Sequence, residues 1–117
     1  MSITRLGVGP RLSRVVIHGD TIYLTGCIAE QTKGKSVREQ TREILTTIDR
    51  SLAEAGSDKT KILTAQIYLA KIATYTEMNG EWDAWVPENH TPARATFETK
   101  LPLSGTSVMI VCVAARS

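Results

Sequence analysis

Arg94 is the residue of this sequence whose type and setting point most directly to chemistry. It follows Pro92, which cannot continue a helix, and the next residues alternate between apolar and polar side chains. The apolar residues are Ala93, Ala95 and Phe97, and the polar residues are Arg94, Thr96 and Glu98. The alternation predicts a strand with one core face and one face that carries a guanidinium, a hydroxyl and a carboxylate.

A guanidinium in the middle of a strand needs a partner, because an unpaired charge taken out of water costs several kcal/mol. One possible partner is an internal acid, either Glu98 or a carboxylate on a neighbouring strand. The other is the carboxylate of a bound ligand. Residue spacing leaves both alternatives open.

Composition sets the broad class of the protein. The 117 residues predict one domain, spanning 1–117, with 14 basic and 12 acidic residues scattered along the chain. The sequence therefore predicts no nucleic-acid partner, and the absence of an apolar run of about 20 residues predicts no membrane span.

Two cysteines do not form a disulfide framework and the N-terminus lacks a signal-peptide core, so we expect a cytoplasmic protein. No cluster has metal-ligand spacing and no phosphate-binding glycine loop is present, so we expect neither metal nor cofactor.

Two helices are predicted from capping residues and apolar periodicity. The first begins at Ser36, which forms a capping box with Glu39, and ends at Gly56 in the left-handed conformation. Its apolar stripe is Val37, Thr41, Ile44, Leu45, Ile48, Leu52 and Ala55. The second begins at Thr74 with a similar capping pattern and ends before Pro87. Its predicted buried stripe is Tyr75, Met78, Trp82 and Trp85.

The strands precede, separate and follow these helices. A hairpin is predicted from Ser13–His18 and Thr21–Thr25, followed by strands at Lys61–Ala70 and around Arg94. The last strand, Val108–Ala115, is apolar throughout, which is typical of a strand covered on both faces, here by helices and by another subunit. Both helices are predicted to cover one face of a single sheet. The residues expected on the other face include Ile62, Tyr68, Arg94 and Thr96, with Leu63, Ala65, Ile67 and Leu69 turned away from it.

Three segments together resemble the Rid family, the reactive-intermediate deaminases that are also called the YjgF family. They are TIYLTGCIAE at 21–30, EAGSDKTKILTAQIYLAKIATYTEMNGEWDAWV at 54–86, and TPARATFETKLP at 91–102. The WDAWV segment suggests that the chain belongs to a divergent branch of that family. The resemblance implies an α+β, chorismate-mutase-like fold, with two helices on one face of a single sheet. It also implies a homotrimeric barrel with ligand clefts between subunits.

The resemblance also implies a reaction. Active family members hydrolyse 2-imino or 2-enamine acids, which pyridoxal-phosphate enzymes release, to 2-keto acids and ammonia. The arginine of the PAR motif, Arg94 here, binds the substrate carboxylate. The planar guanidinium suits this role, because two parallel charge-assisted hydrogen bonds fix the ligand's orientation.

The remaining family positions carry different residues here. Leu12 occupies the place of an aromatic residue, Thr25 that of a serine and Thr96 that of a cysteine; all three are expected to line the ligand site. Cys27, beside the presumed cleft, is expected either to line it or to be a small buried residue.

Met109 takes the position of the family's water-activating glutamate, and methionine cannot accept a proton. General-base catalysis typically contributes about 10²–10⁴-fold. Glu98 is the alternative catalytic acid, although a salt bridge would explain it equally well. The sequence thus supports either a deaminase of 2-imino or 2-enamine acids or a non-catalytic trimer that binds small carboxylates. RNA cleavage, attributed to some relatives, is disfavoured by the scattered charge.

Overall fold

Seven strands form a single mixed sheet, and two helices cover one of its faces. The computed structural model describes residues 1–117. The strands are β1 (Ile3–Val8), β2 (Ser13–His18), β3 (Thr21–Leu24), β4 (Cys27–Ile28), β5 (Ile62–Leu69), β6 (Ala93–Glu98) and β7 (Val108–Ala115). The helices are α1 (Val37–Glu54) and α2 (Tyr75–Trp85), and short 3₁₀ turns at Lys59–Lys61 and Ile72–Thr74 precede β5 and α2.

The sheet has the order β1-β2-β3-β7-β5-β6, and β4 pairs with β7 beyond the end of β3. Only β5 and β6 run parallel to each other; the other neighbours are antiparallel. The parallel pair is connected through α2, as a crossover of this kind requires. The predicted α+β class, the hairpin and the placement of both helices on one face are confirmed. Neither helix has the length and hydrophobicity needed to cross a membrane.

Helix α1 begins and ends where its capping residues predict. The Ser36 hydroxyl accepts a hydrogen bond from the Glu39 N–H at 3.1 Å, which satisfies one of the free donors of the first turn. Gly56 follows the helix with φ of +80°, and the Ser57 N–H donates to the Leu52 carbonyl at 2.8 Å. The whole predicted apolar stripe is buried against the sheet.

The start of α2 differs from the prediction. The Thr74 hydroxyl makes no helix cap; it donates to the Lys71 carbonyl at 2.6 Å and so closes the 3₁₀ turn. Glu77 accepts from the Arg38 N–H on α1 instead of completing a capping box. Met78 and Trp82 are buried as expected, but the prediction for Tyr75 was wrong, because this side chain is 40% exposed at the first turn.

The core lies between the helices and the sheet, with β7 at its centre. Val108, Ile110, Cys112 and Ala114 of β7 are buried beneath the helices, and the residues between them are half-buried. We call the side without helices the open face; it carries Tyr23, Gln66, Tyr68, Phe97, Met109, Val111 and Val113. The expectation that a second subunit covers this side of β7 stays a prediction.

A β-bulge near the start of β5 changes which residues are buried there. The register with β7 shifts between Ile62 and Thr64, so Ile62 is buried and Leu63 is 50% exposed. The predicted facing of these two residues was therefore wrong. Ala65, Ile67 and Leu69 face the core as expected.

Strand β6 presents its faces in the opposite sense to the prediction. Arg94 is paired with Ala65 and Thr96 with Ile67, so both point to the side covered by α2. Phe97 instead stacks on Tyr68 on the open face, with ring centroids 5.7 Å apart. The assignment of Arg94 and Thr96 to the uncovered face was wrong. Because β6 is an edge strand beside the polar and aromatic end of α2, the helix side accommodates the charge.

Candidate functional site

The guanidinium of Arg94 is held by two neutral side chains of α2. Nη1 donates to Asn79 Oδ1 at 2.7 Å, and Nη2 donates to the Tyr75 hydroxyl at 2.9 Å. The Arg94 Cζ atom lies 5.4 Å from the ring centroid of Trp82 and 5.7 Å from that of Tyr75. Aromatic rings at these distances attract a cation through their negative faces without neutralising its charge.

No carboxylate lies within 4.0 Å of the Arg94 guanidinium. The internal salt bridge that the sequence left open is therefore absent. Two of the five guanidinium N–H groups are used by Asn79 and Tyr75, which leaves three without a protein acceptor. The half-buried cation is positioned by its neighbours and keeps its capacity to pair with an anion.

Thr96 and Glu98 follow Arg94 on the same side of β6. The Thr96 hydroxyl oxygen is buried and has no hydrogen-bond partner within the protomer. Glu98 Oε1 accepts from the Ile72 N–H at 3.0 Å and supports the 3₁₀ turn before α2. Strand spacing places the Cα atoms of Arg94 and Glu98 about 13 Å apart.

The other predicted ligand-lining residues surround a separate cleft. Leu12, Thr25 and Cys27 line a cavity of about 560 Å³ between α1 and the adjoining ends of β2, β3 and β4. Its remaining lining includes Arg14, Glu30, Glu43 and Arg50. We call this cavity the α1 cleft.

Cys27 contributes a neutral thiol to the α1 cleft. Burial, together with the negative charges of Glu43 and Glu30, raises the pKa of the Cys27 thiol to about 11. Its Sγ atom makes only a long contact of 3.9 Å with the Ile44 carbonyl oxygen. A nucleophilic cysteine requires a lowered pKa, so Cys27 shapes the cleft as a small, uncharged side chain.

Glu43 fixes the wall of the α1 cleft that follows β4. Its carboxylate accepts four hydrogen bonds: the Thr32 hydroxyl at 2.7 Å, and the N–H groups of Thr32, Gln31 and Glu30 at 2.8, 3.1 and 3.0 Å. Burial alone would raise the pKa of Glu43, but these hydrogen bonds outweigh it and lower the pKa to about 2. Sequence reasoning missed Glu43 and Glu30, because nothing in their spacing reveals that a helix and a loop meet here.

Met109 lies on the open face of β7, paired with Ile28 on one side and Tyr68 on the other. Its thioether packs against Gly26, where an added Cβ would lie 2.7 Å from Met109 Sδ. Glycine at position 26 therefore allows this close approach. The side chain offers no group that can accept a proton.

A single protomer does not bring the candidate residues of β6, Arg94 and Thr96, close to the candidate residues that line the α1 cleft. Cys27 pairs with Ile110, Ile110 with Ile67, and Ile67 with Thr96, so three strand spacings separate Cys27 from Thr96. These spacings amount to about 14 Å. A small ligand on Arg94 cannot also fill the α1 cleft of the same protomer.

Sequence and structure comparisons place this architecture in a known family. A family model described as endoribonuclease L-PSP matches residues 3–116. A RutC family protein of Haemophilus influenzae is 44% identical over 114 residues, which cover 97% of this chain and 98% of that protein. The crystal structure of a YjgF-family protein from Neisseria meningitidis superposes with a TM-score of 0.96 at 43% identity, covering 100% of this chain and 97% of that chain. The chain belongs to the YjgF (Rid) family.

A more distant YjgF-type relative has a name that specifies a reaction. The 2-iminobutanoate/2-iminopropanoate deaminase of Bos taurus is 29% identical over 112 residues, which cover 92% of this chain and 80% of that protein. Membership in the YjgF family confirms the resemblance seen in the sequence and the fold that it implied. The roles assigned to Arg94, Thr25, Thr96, Leu12, Cys27, Met109 and Glu98 stay predictions.

Proposed function

We propose that this protein hydrolyses reactive 2-imino or 2-enamine acids to 2-keto acids and ammonia. The observation that carries the proposal is the Arg94 guanidinium, which is held by two neutral acceptors and retains three N–H groups for an anion. The name of the bovine relative supplies the reaction class.

Arg94 pairs with the substrate carboxylate and thereby fixes the position of the adjacent C2 atom. Two parallel hydrogen bonds from the guanidinium set both distance and orientation, which removes much of the entropic cost of reaction. Water adds to C2 as the electrons of the C=N bond move to nitrogen. The carbinolamine then releases ammonia, and its hydroxyl becomes the carbonyl group of the keto acid. The hydroxyls of Thr96 and Thr25 are proposed to hold the polar atoms at C2.

The proposed site lies between subunits of a homotrimer. Arg94 of one protomer would face the α1 cleft of the next, where Leu12, Thr25 and Cys27 lie. The separation of about 14 Å between the two groups within one protomer supports this arrangement. Association of subunits is supported separately by the open face, where Tyr23 and Phe97 are 48% and 46% exposed in the protomer.

Proton transfer is the step that the family glutamate would perform, and Met109 cannot perform it. Glu98 is the acid that the sequence offers in its place. One of its oxygens is engaged by the Ile72 N–H, and Oε2 has no protein partner. Its distance from Arg94 along β6 is the main argument against a direct role.

A cytoplasmic location belongs to the same proposal. The substrates would be intermediates of pyridoxal-phosphate enzymes, which the protein must intercept before they diffuse away. Both cysteines are free thiols, as a reducing compartment requires.

The deciding experiment generates 2-iminobutyrate or 2-aminoacrylate in situ with a pyridoxal-phosphate dehydratase and follows the rate at which the intermediate disappears. Wild-type protein should accelerate this loss over buffer, and Arg94→Ala should not. Arg38→Ala is the matched control, because Arg38 is exposed on α1 and pairs only loosely with Glu81, at 3.9 Å. Acceleration that survives in Arg94→Ala would contradict the proposal.

The second candidate function is a trimer that binds small carboxylates or keto acids without turnover. Methionine at position 109 favours it, because that position lacks a base. Under this alternative wild-type protein leaves the intermediate's lifetime unchanged and still binds 2-ketobutyrate saturably in calorimetry. Arg94→Ala should abolish that binding.

A further inference from the structure

Two carboxylates line the α1 cleft, and they differ in what their oxygens do. All four hydrogen bonds to Glu43 come from the loop after β4, so its oxygens are committed to the fold. Glu30 is exposed, and its carboxylate makes neither a hydrogen bond nor a salt bridge within the protein. Of the two, only Glu30 has lone pairs available for a proton.

The backbone of Glu30 is nevertheless fixed. Its N–H donates to Glu43 Oε2 at 3.0 Å, and it comes two residues after the end of β4. The side chain therefore starts from an anchored position on the wall of the cleft that holds Thr25 and Cys27. The charge of Glu30 is also one of the causes of the raised pKa of the Cys27 thiol, so its field reaches the inside of the cleft.

We propose that Glu30 is the base that activates water in this protein, in place of the glutamate that Met109 replaces. This inference rests on the deaminase activity proposed above. Glu98 is less suitable, because it supports the Ile72 turn and lies about 13 Å along β6 from Arg94. In the proposed trimer, Glu30 lines the α1 cleft of one subunit, and this cleft faces Arg94 of the neighbouring subunit.

The Glu30 carboxylate takes a proton from water as the water oxygen bonds to C2 of the iminium, whose C=N electrons pass to nitrogen. Protonated Glu30 then returns the proton to the amino group of the carbinolamine. The C–N bond breaks, ammonia leaves, and the hydroxyl loses its proton to the Glu30 carboxylate as the C=O bond forms. Glu30 then passes this proton to the departing ammonia, which leaves as ammonium, and the carboxylate is restored. No oxidant or further reactant is required.

Glu30→Gln tests the proposal, with Glu88→Gln as the matched control because the Glu88 side chain is exposed and forms neither a hydrogen bond nor a salt bridge. In the 2-iminobutyrate assay Glu30→Gln should lower the rate by about 10²-fold, the lower end of the usual contribution of a general base. Calorimetric binding of 2-ketobutyrate should be unchanged, since Arg94 is intact. Glu88→Gln should match wild type in both measurements.

The pH profile separates a base from a merely structural residue. Wild-type kcat/KM should fall at acid pH as a carboxylate is protonated, and this limb should be absent from Glu30→Gln. Other charged or titratable groups face the cleft but are retained in the variant: Arg14, Cys27, Glu43 and Arg50. A wild-type rate and a wild-type acid limb in Glu30→Gln would overturn the assignment of Glu30 alone. No acceleration by wild-type protein would overturn the deaminase proposal itself.

Discussion

Arg94 donates a 2.7 Å hydrogen bond to the side-chain oxygen of Asn79, an amide at a position where a carboxylate would neutralise the guanidinium. The rings of Trp82 and Tyr75 add attraction without adding a countercharge. The arginine is thus oriented by its own chain and still needs an anion. This combination supports the proposed role of Arg94 in binding a ligand carboxylate.

Asn79→Asp should weaken carboxylate binding by about 10-fold or more, because the new acid competes with the ligand for the same cation; hydrogen bonds to charged groups are typically worth about 1.5–3 kcal/mol. Calorimetric titration with 2-ketobutyrate measures the loss. Asn89→Asp is the control, since Asn89 is exposed in the loop before β6 and Asp tolerates its φ of 65°. Equal weakening in both variants would show that added negative charge, rather than its position, is responsible.

Glu43→Gln should destabilise the fold in a pH-dependent way. The pKa of Glu43 is lowered to about 2 in the folded protein from its ordinary value of 4.5, so its charged form stabilises the folded state above pH 4.5. That contribution is lost as the pH falls from 4.5 towards 2, where the carboxylate is protonated. Urea unfolding should show a loss of about 1 kcal/mol in the variant at pH 7, because solvent partly screens this carboxylate and weakens the contribution of its hydrogen bonds.

The same comparison near pH 3 should show a smaller difference between Glu43→Gln and wild type. Glu88→Gln, which removes an exposed carboxylate, serves as the control at both pH values. A difference for Glu43→Gln that stays constant with pH would assign its effect to shape rather than charge.

Neither thiol should react rapidly with alkylating reagents in the folded protein. The pKa is raised to about 11 for Cys27 and to about 12 for Cys112, in both cases mainly by burial, so almost no thiolate exists at pH 8. Mass spectrometry after brief iodoacetamide treatment should detect unmodified folded protein and two modified cysteines after denaturation in urea. Fast modification of Cys27 in the folded protein would contradict its assignment as a neutral lining residue.

Val111→Lys should separate the proposed trimer into protomers. Val111 is half-buried at the middle of the open face, and a charge there cannot be covered by another subunit without a large desolvation cost. Light scattering should report three chains for wild type and one for the variant. Val8→Lys, on the exposed edge strand β1, is the matched control and should leave the mass unchanged.

Much of the fold followed from local signals. Ser36 and Gly56 predicted the ends of α1 because capping groups and a left-handed glycine act within one helical turn. Thr74 does not cap α2, because its hydroxyl donates a hydrogen bond to the Lys71 carbonyl within the preceding 3₁₀ turn. Ile62 is buried and Leu63 exposed, opposite to the prediction, because of a β-bulge in the pairing with β7. A bulge depends on the partner strand, so the alternation within β5 alone cannot predict it.

The sequence by itself determined the family, the α+β architecture and the identity of Arg94 as the distinctive cation, because these depend on residue types and on spacing along the chain. Only the tertiary structure decided that Arg94 faces α2, that its partners are neutral, and that Glu43 clamps the loop carrying Glu30. Packing between elements decides which side of an edge strand is covered. It also decides which groups meet: the Arg94 and Asn79 side chains are 15 residues apart in the chain, and the Glu30 N–H and the Glu43 carboxylate are 13 residues apart. The alternation of a single strand carries no information about which of its two faces the helix will cover.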